Sequence, residues 1–123
     1  MITPYFTVED GAPAPLRAAL SGRVRFEEVD PLGIVWHGRY ASYFEDARVA
    51  LTDRYGIGYL DFSEKGVVAP IRKFHVDYFR SLRFRETFIV EAVLHWTEVP
   101  RLNMEFTPFY RDFLDRWREG GLA

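Results

Sequence analysis

Cysteine is absent from the chain. That excludes a disulfide framework, a thiolate metal site and a cysteine nucleophile, and it fits a reducing compartment. Long apolar runs are absent too, and nothing approaches the roughly 18 residues that span a bilayer. The opening stretch MITPYFTVEDGAPAPLRAAL carries acids early and prolines in its middle. It has no continuous apolar segment and does not read as a secretion signal. An excess of either charge is also missing, since 16 basic and 18 acidic residues leave a net charge of -2. Nucleic-acid binders are usually basic overall. These absences lead to the expectation of a cytoplasmic protein with neither a membrane nor a nucleic-acid partner.

What is present is a globular composition, with 48% apolar and 28% charged residues. At 123 residues the chain is long enough for one domain with a real core. Aromatics reach 17%, which suits a crowded core, a subunit interface or an aromatic-lined pocket alike. Residues 1–22 read as an N-terminal extension with a possible turn of helix after GAPAP. Residues 23–123 read as a single domain.

Periodicity supplies the elements. Val24 and Phe26 alternate with charged neighbours, the pattern of a half-buried strand over residues 23–27. Tyr40, Tyr43, Phe44, Ala47, Leu51 and Tyr55 recur at helical spacing, and Gly56 stops the run. A second helical or irregular piece extends through Gly66. Three further alternating runs follow: Phe74, Val76 and Tyr78; then Phe88, Val90, Ala92, Leu94 and Trp96; then Leu102, Met104 and Phe106. Strands this close, without helical crossovers, predict an antiparallel sheet. The fold class is therefore α+β, a long helix against a curved sheet. The C-terminal stretch predicts a helix with Thr107 as N-cap, Pro108 in its first turn and Gly120 past its end. That helix would begin directly after the strand residue Phe106, with no connection between them.

The segment VDPLGIVWHGRYASYFEDAR concentrates the chemistry. Asp30, Pro31, Leu32 and Gly33 read as a type I turn, with Asp, Pro and Gly at their favoured positions. Read locally, Asp30 is a turn residue that bonds its neighbouring backbone. The competing reading is a catalytic carboxylate held just ahead of a helix N-terminus. A helix start offers unpaired N–H groups and partial positive charge. Glu45 and Asp46 lie on the helix, where pairing with Arg48 or Arg39 is the plainer reading. His37, His75 and His95 show no spacing with acids that makes a metal site, and none is expected.

This run resembles the signature of the 4-hydroxybenzoyl-CoA thioesterase branch of the hotdog-fold acyl-CoA thioesterases. The shared pattern is Asp, a short turn with Gly, two apolar residues, an aromatic, His or Tyr, then Tyr and an aromatic–acid pair. VVAPIRKFHVDYFRSLRFRETFIVEAVLHW and PRLNMEF are similar to later strands, so the resemblance covers residues 23–106. It implies a hotdog fold with the last strands missing between Phe106 and Thr107, and hydrolysis of an acyl-CoA thioester. It implies Asp30 as nucleophile or general base, and the helix start at His37 as the group that polarises the carbonyl. His37 itself reads as an oxyanion-side donor, a capping residue or a packed histidine, and a histidine there is also suited to shuttling protons. Ile34, Trp36 and Tyr40 would contact substrate, and Val68, Ala69 and Pro70 would close the site from a neighbouring subunit.

Glu45 is the runner-up acid, because other hotdog lineages carry theirs on the central helix. Coenzyme A belongs to the substrate and no separate cofactor is implied. Arg72, Lys73, Arg80, Arg83, Arg85 and Arg101 are candidates for its phosphates, or else solvated charges. A homodimer or homotetramer is implied. Phe26 departs from the Tyr of relatives, and Thr97, Glu98 and Val99 stand where some carry a basic triplet. The alternatives are a non-catalytic acyl-CoA-binding hotdog domain, a dehydratase-type hotdog enzyme, and a scaffold that docks through the stripe of Phe109, Phe113 and Trp117.

Overall fold

The computed structural model describes residues 6, 9–78 and 80–110. Among them three strands form one antiparallel sheet in the order β1 (Leu16–Arg23), β2 (Thr87–His95) and β3 (Asn103–Tyr110). The long helix α1 (Tyr40–Arg54) packs on β1 and β2, and a short helix α2 (Tyr59–Glu64) follows it. Register is fixed by the period-two pattern of β2, whose Phe88, Val90 and Ala92 are buried. Ala92 stands opposite Ala18 of β1 on one side and Phe106 of β3 on the other.

The core lies between this sheet and α1. Tyr40, Tyr43, Ala47 and Leu51 face inward at spacings of three and four, as one helical stripe requires. Tyr43 meets Phe88 with ring centroids 4.6 Å apart, and Phe44 stacks on Phe106 at 5.4 Å. Val24, Val35 and Leu82, from segments outside the sheet, close the end of the core nearest the start of the helix. Thr52 is buried in the last turn, and its hydroxyl is satisfied by donating to the backbone carbonyl of Arg48 at 3.0 Å. Gly56, at φ +70°, takes the left-handed conformation just past the helix.

The α+β class and the long helix ending at Gly56 are as expected, and so are the helical piece before Gly66 and the β2 strand. Several element readings are corrected. The first strand is not at residues 23–27 but at Leu16–Arg23, inside the stretch read as an extension with a turn of helix. Only Ala18 of β1 is buried, so its alternation is too weak to read, and pairing with β2 along its whole length creates it. Residues Phe26–Glu28 form a 3-10 turn, and Phe26 is 77% exposed.

The strand expected at residues 73–78 is not formed. Phe74 and Tyr78 are exposed and, among the described residues, no strand pairs with this stretch; alternation without a partner strand does not hold a β conformation. The helix expected from Thr107 does not start there, because β3 runs through Tyr110. Pro108, which lacks an N–H, is tolerated at this edge position, and Thr and Phe favour strands. The abrupt strand-to-helix join that suggested missing strands after Phe106 is thereby removed. The remainder of that helix, with Phe113, Trp117 and Gly120, lies outside the described residues.

Leu51 is fully buried between the helix and the sheet. Replacing it with Ala should lower the unfolding free energy by about 2–5 kcal/mol, measured by urea denaturation. A loss below about 1 kcal/mol would show that this packing does not hold the helix to the sheet.

Candidate active site

Residues 29–35 form a tight hairpin. Val29 and Val35 pair antiparallel, the Asp30 N–H donates to the Ile34 carbonyl at 2.8 Å, and the Gly33 N–H donates back to the Asp30 carbonyl at 2.9 Å. Gly33 sits at φ +77°, the left-handed position that a three-residue hairpin of this kind requires. The Leu32 N–H donates to Asp30 Oδ1 at 2.8 Å, so the carboxylate does bond its own turn. The local reading of Asp30 as a turn residue is realised, and Oδ2 is left over from it.

The hairpin is tied down on its far side. Val35 N–H donates to Leu82 O at 2.8 Å, Phe84 N–H donates to Gly33 O at 3.1 Å, and Ile34 pairs with Arg83. The chain then turns directly into the helix through a 3-10 turn, His37–Arg39, which runs into α1. The first amides of such a helix have no acceptor within it. The hydroxyl of Tyr78 donates to the His37 carbonyl at 3.1 Å, and the Tyr40 hydroxyl accepts the Leu82 N–H at 3.0 Å. Trp36 folds its indole over Gly38, where a Cβ would come within 2.9 Å of three ring atoms, so glycine is required there unless Trp36 moves.

These elements enclose a cleft of about 200 Å³ lined by Asp30, Ile34, Val35, His37, Tyr40 and Tyr78, with Arg80 and Ser81 at its side. The structure thus brings Asp30, Ile34, His37 and Tyr40 together. It does not bring Trp36 into the lining, and the indole is half exposed beside the His37 ring at 5.2 Å. Val68, Ala69 and Pro70 stand exposed on the irregular stretch after α2, outside the cleft. Glu45 is also outside it, paired with Arg48 through two contacts on the outer face of α1. His75 bonds Asp77 at 3.2 Å and His95 bonds Glu105 at 2.7 Å, and neither histidine lines the cleft.

Tyr78 and Ser81 were not legible as site residues. Tyr78 read as the apolar member of a strand, and nothing in the local sequence marks Ser81. Of the six candidate cations, Arg80 lies in the lining, with its guanidinium 3.6 Å from Glu86 Oε2. Chemically the cleft joins a carboxylate oxygen, an apolar wall and the positive end of a helix dipole. A carbonyl held there would meet both a nucleophile or base and a group that stabilises negative oxygen.

Comparison with known proteins bears on the family and the fold. The family described as "Thioesterase-like superfamily" matches residues 24–112. "Putative acyl-CoA thioesterase YneP" of Bacillus subtilis (strain 168) is 36% identical over 75 residues, which cover 61% of this chain and 52% of that protein. This chain therefore spans about half the length of that relative. The crystal structure of a Thermus thermophilus protein, TT1821, superposes with a TM-score of 0.70 at 27% identity, over 77% of this chain and 72% of that one. A Staphylococcus aureus DHNA-CoA thioesterase superposes with a TM-score of 0.70 at 25% identity, over 79% and 65%. The Staphylococcus aureus neighbour is a thioesterase by name, and the α+β fold of this chain is the hotdog fold of such neighbours.

Arg48 holds the Glu45 carboxyl below its usual range, chiefly by hydrogen bonding. With the folded-state pKa depressed, the pair stabilises the fold above the unfolded carboxylate pKa, and the effect fades as pH falls through the folded value. Both side chains are well exposed, so Glu45→Gln should cost about 0.5 kcal/mol or less near neutral pH. The difference from the parent should vanish in acid, as urea denaturation at both pH values would show. A difference that grows on acidification would contradict the pairing.

Proposed function

Because the chain belongs to the thioesterase-like superfamily, we propose that it hydrolyses an acyl-CoA thioester to a carboxylic acid and CoA. The observation that carries this reading is the hairpin that sets Asp30 and the open end of α1 at His37 on one cleft. We assign the chain to the 4-hydroxybenzoyl-CoA branch from the motif over residues 30–48. The acyl-CoA class is supported by the names of the Bacillus subtilis and Staphylococcus aureus relatives.

Two routes share this geometry. In the first, Asp30 Oδ2 adds to the thioester carbon, and the carbonyl oxygen becomes an oxyanion facing the amides of His37 and Gly38. The C–S bond then breaks, CoA leaves as a thiolate that takes up a proton, and water hydrolyses the acyl–aspartyl anhydride. In the second, Asp30 takes a proton from water as that water adds to the same carbon, and collapse of the oxyanion expels CoA. Oδ1 is held by Leu32 in both, so the turn aims the carboxylate rather than competing with its chemistry. Ile34 and Tyr40 supply the wall for the acyl group. Coenzyme A is substrate, with no separate cofactor.

The site is completed between two subunits, and this too is proposed. Val68 is 86% exposed and Ile71 78%, on a stretch that also exposes Val67, Phe74 and Tyr78. Exposed apolar residues gathered along one stretch in this way point to an interaction site. In a homodimer or homotetramer, Val68, Ala69 and Pro70 close the neighbouring cleft. Ile71→Asp should shift the protein to monomer in size-exclusion chromatography with light scattering. An unchanged oligomer would place the interface elsewhere.

Asp30→Asn and Asp30→Ala, with fold checked by circular dichroism, should lower thiol release from acyl-CoA thioesters by at least about a hundredfold. A panel of short, long and aryl acyl groups finds the substrate. Single turnover in ¹⁸O-water detects a nucleophilic Asp30 whose anhydride is opened at the aspartyl carbon: the acid of the first turnover is then unlabelled and Asp30 itself gains the label. Full activity in a folded Asp30 variant would overturn the assignment. Tight acyl-CoA binding without turnover by the parent would instead identify a binding domain.

A further inference from the structure

Glu28 lies two residues before Asp30 and is only 7% exposed. A carboxylate is seldom buried unless it is paired and hydrogen-bonded. Here Oε1 accepts the Arg25 N–H at 2.8 Å, and Oε2 accepts the Arg39 Nε–H at 3.3 Å. The Glu28 backbone carbonyl accepts the Trp36 N–H at 3.0 Å, and Trp36 in turn accepts the Arg39 N–H at 2.8 Å. The buried Tyr43 hydroxyl lies beside the Glu28 carboxylate but meets no partner with full hydrogen-bond geometry among the described residues. Its pKa is pushed up by burial first and by the Glu28 charge next, with Arg39 opposing.

These contacts bracket the proposed chemistry. Asp30 lies in the loop between Glu28 and Trp36, which the backbone bond closes. His37 and Gly38 lie in the loop between Trp36 and Arg39, and Arg39 is held from both its backbone and its side chain. One carboxylate therefore joins the 3-10 turn before the hairpin to the 3-10 turn that leads into α1. Glu28 does not line the cleft. A displacement of about 1 Å between reacting groups can cost about a hundredfold in rate, which makes such a brace matter more for turnover than for binding.

We propose that Glu28 is a positioning residue whose carboxylate, with Arg39, fixes Asp30 relative to the helix-start amides at His37 and Gly38. This deepens the thioesterase reading and rests on it. Glu28→Gln keeps the side-chain volume and an acceptor for the Arg25 N–H but presents an amide to Arg39. Arg39→Gln removes the same pair from its partly exposed partner. Either variant should lower kcat about tenfold with KM within about twofold, since misplacement acts on the reacting groups rather than on the bound substrate. Amide hydrogen exchange at Trp36 and Arg39 should quicken while β2 exchange stays at the parent rate, and Arg39→Lys should recover most of kcat.

Should Glu28→Gln fail to fold, Arg39→Gln carries the same readouts. Parental kcat with parental exchange at Trp36 and Arg39 would overturn the proposal. So would exchange that quickens equally in β2, which would mark Glu28 as a general stabiliser. Failure of the thioesterase reading shows separately, as hydrolysis retained in Asp30→Asn, and the exchange pattern still decides whether Glu28 braces this loop.

Discussion

The backbone hydrogen bond from Trp36 to Glu28 joins the two ends of the Asp30 hairpin, and the geometry of the cleft depends on it. The bond closes a loop of a few residues whose interior is already specified by the Asp30–Gly33 turn. Because the loop is so short, the carboxylate has little freedom relative to the helix that follows. The turn bond to Oδ1, the left-handed Gly33 and the ties to Leu82 and Phe84 all act in the same direction. A carboxylate on a long flexible loop would lose most of the benefit of a nearby helix dipole, because that field falls off within the first turn.

Packing supports this arrangement from below. The inward stripe of α1 seats the helix on β1 and β2, and Tyr40 belongs to both the core and the cleft. Its ring is buried, its hydroxyl accepts the Leu82 N–H, and its edge meets Tyr78 at 5.6 Å. Movement of α1 against the sheet would therefore disturb the cleft wall and the anchorage of the 82–84 segment together. Stability and site geometry share the same residues here, whereas the Glu45–Arg48 pair on the outer face serves only local helix stability.

What could be read from the sequence follows from where the physical signal is local. The Asp30 turn, the stripe of α1 and the alternation of β2 arise within a few residues of each other, and each was legible. β1 was not, because Leu16–Arg23 owes its conformation to pairing with β2, more than sixty residues away. The stretch at residues 73–78 failed in the opposite sense, with a strand pattern but no strand beside it among the described residues. Thr107 and Pro108 resemble a helix start, yet the edge of a sheet accepts the same pair. In the cleft, Asp30, Ile34, His37 and Tyr40 came from one motif, while Tyr78 and Ser81 arrive from a distant segment that only tertiary contact reveals. The brace at Glu28 was missed for the same reason, since an acid beside a turn ordinarily reads as solvated.

The central claim is that Asp30 and the start of α1 act on one carbonyl. The most direct measurement is a crystal structure of the parent protein bound to a non-hydrolysable acyl-CoA analogue in which a ketone replaces the thioester. The account predicts the ketone carbon within about 3.5 Å of Asp30 Oδ2 and its oxygen within hydrogen-bond reach of the His37 or Gly38 N–H. A ketone bound away from Asp30, or carrying its oxygen toward Glu45, would contradict it.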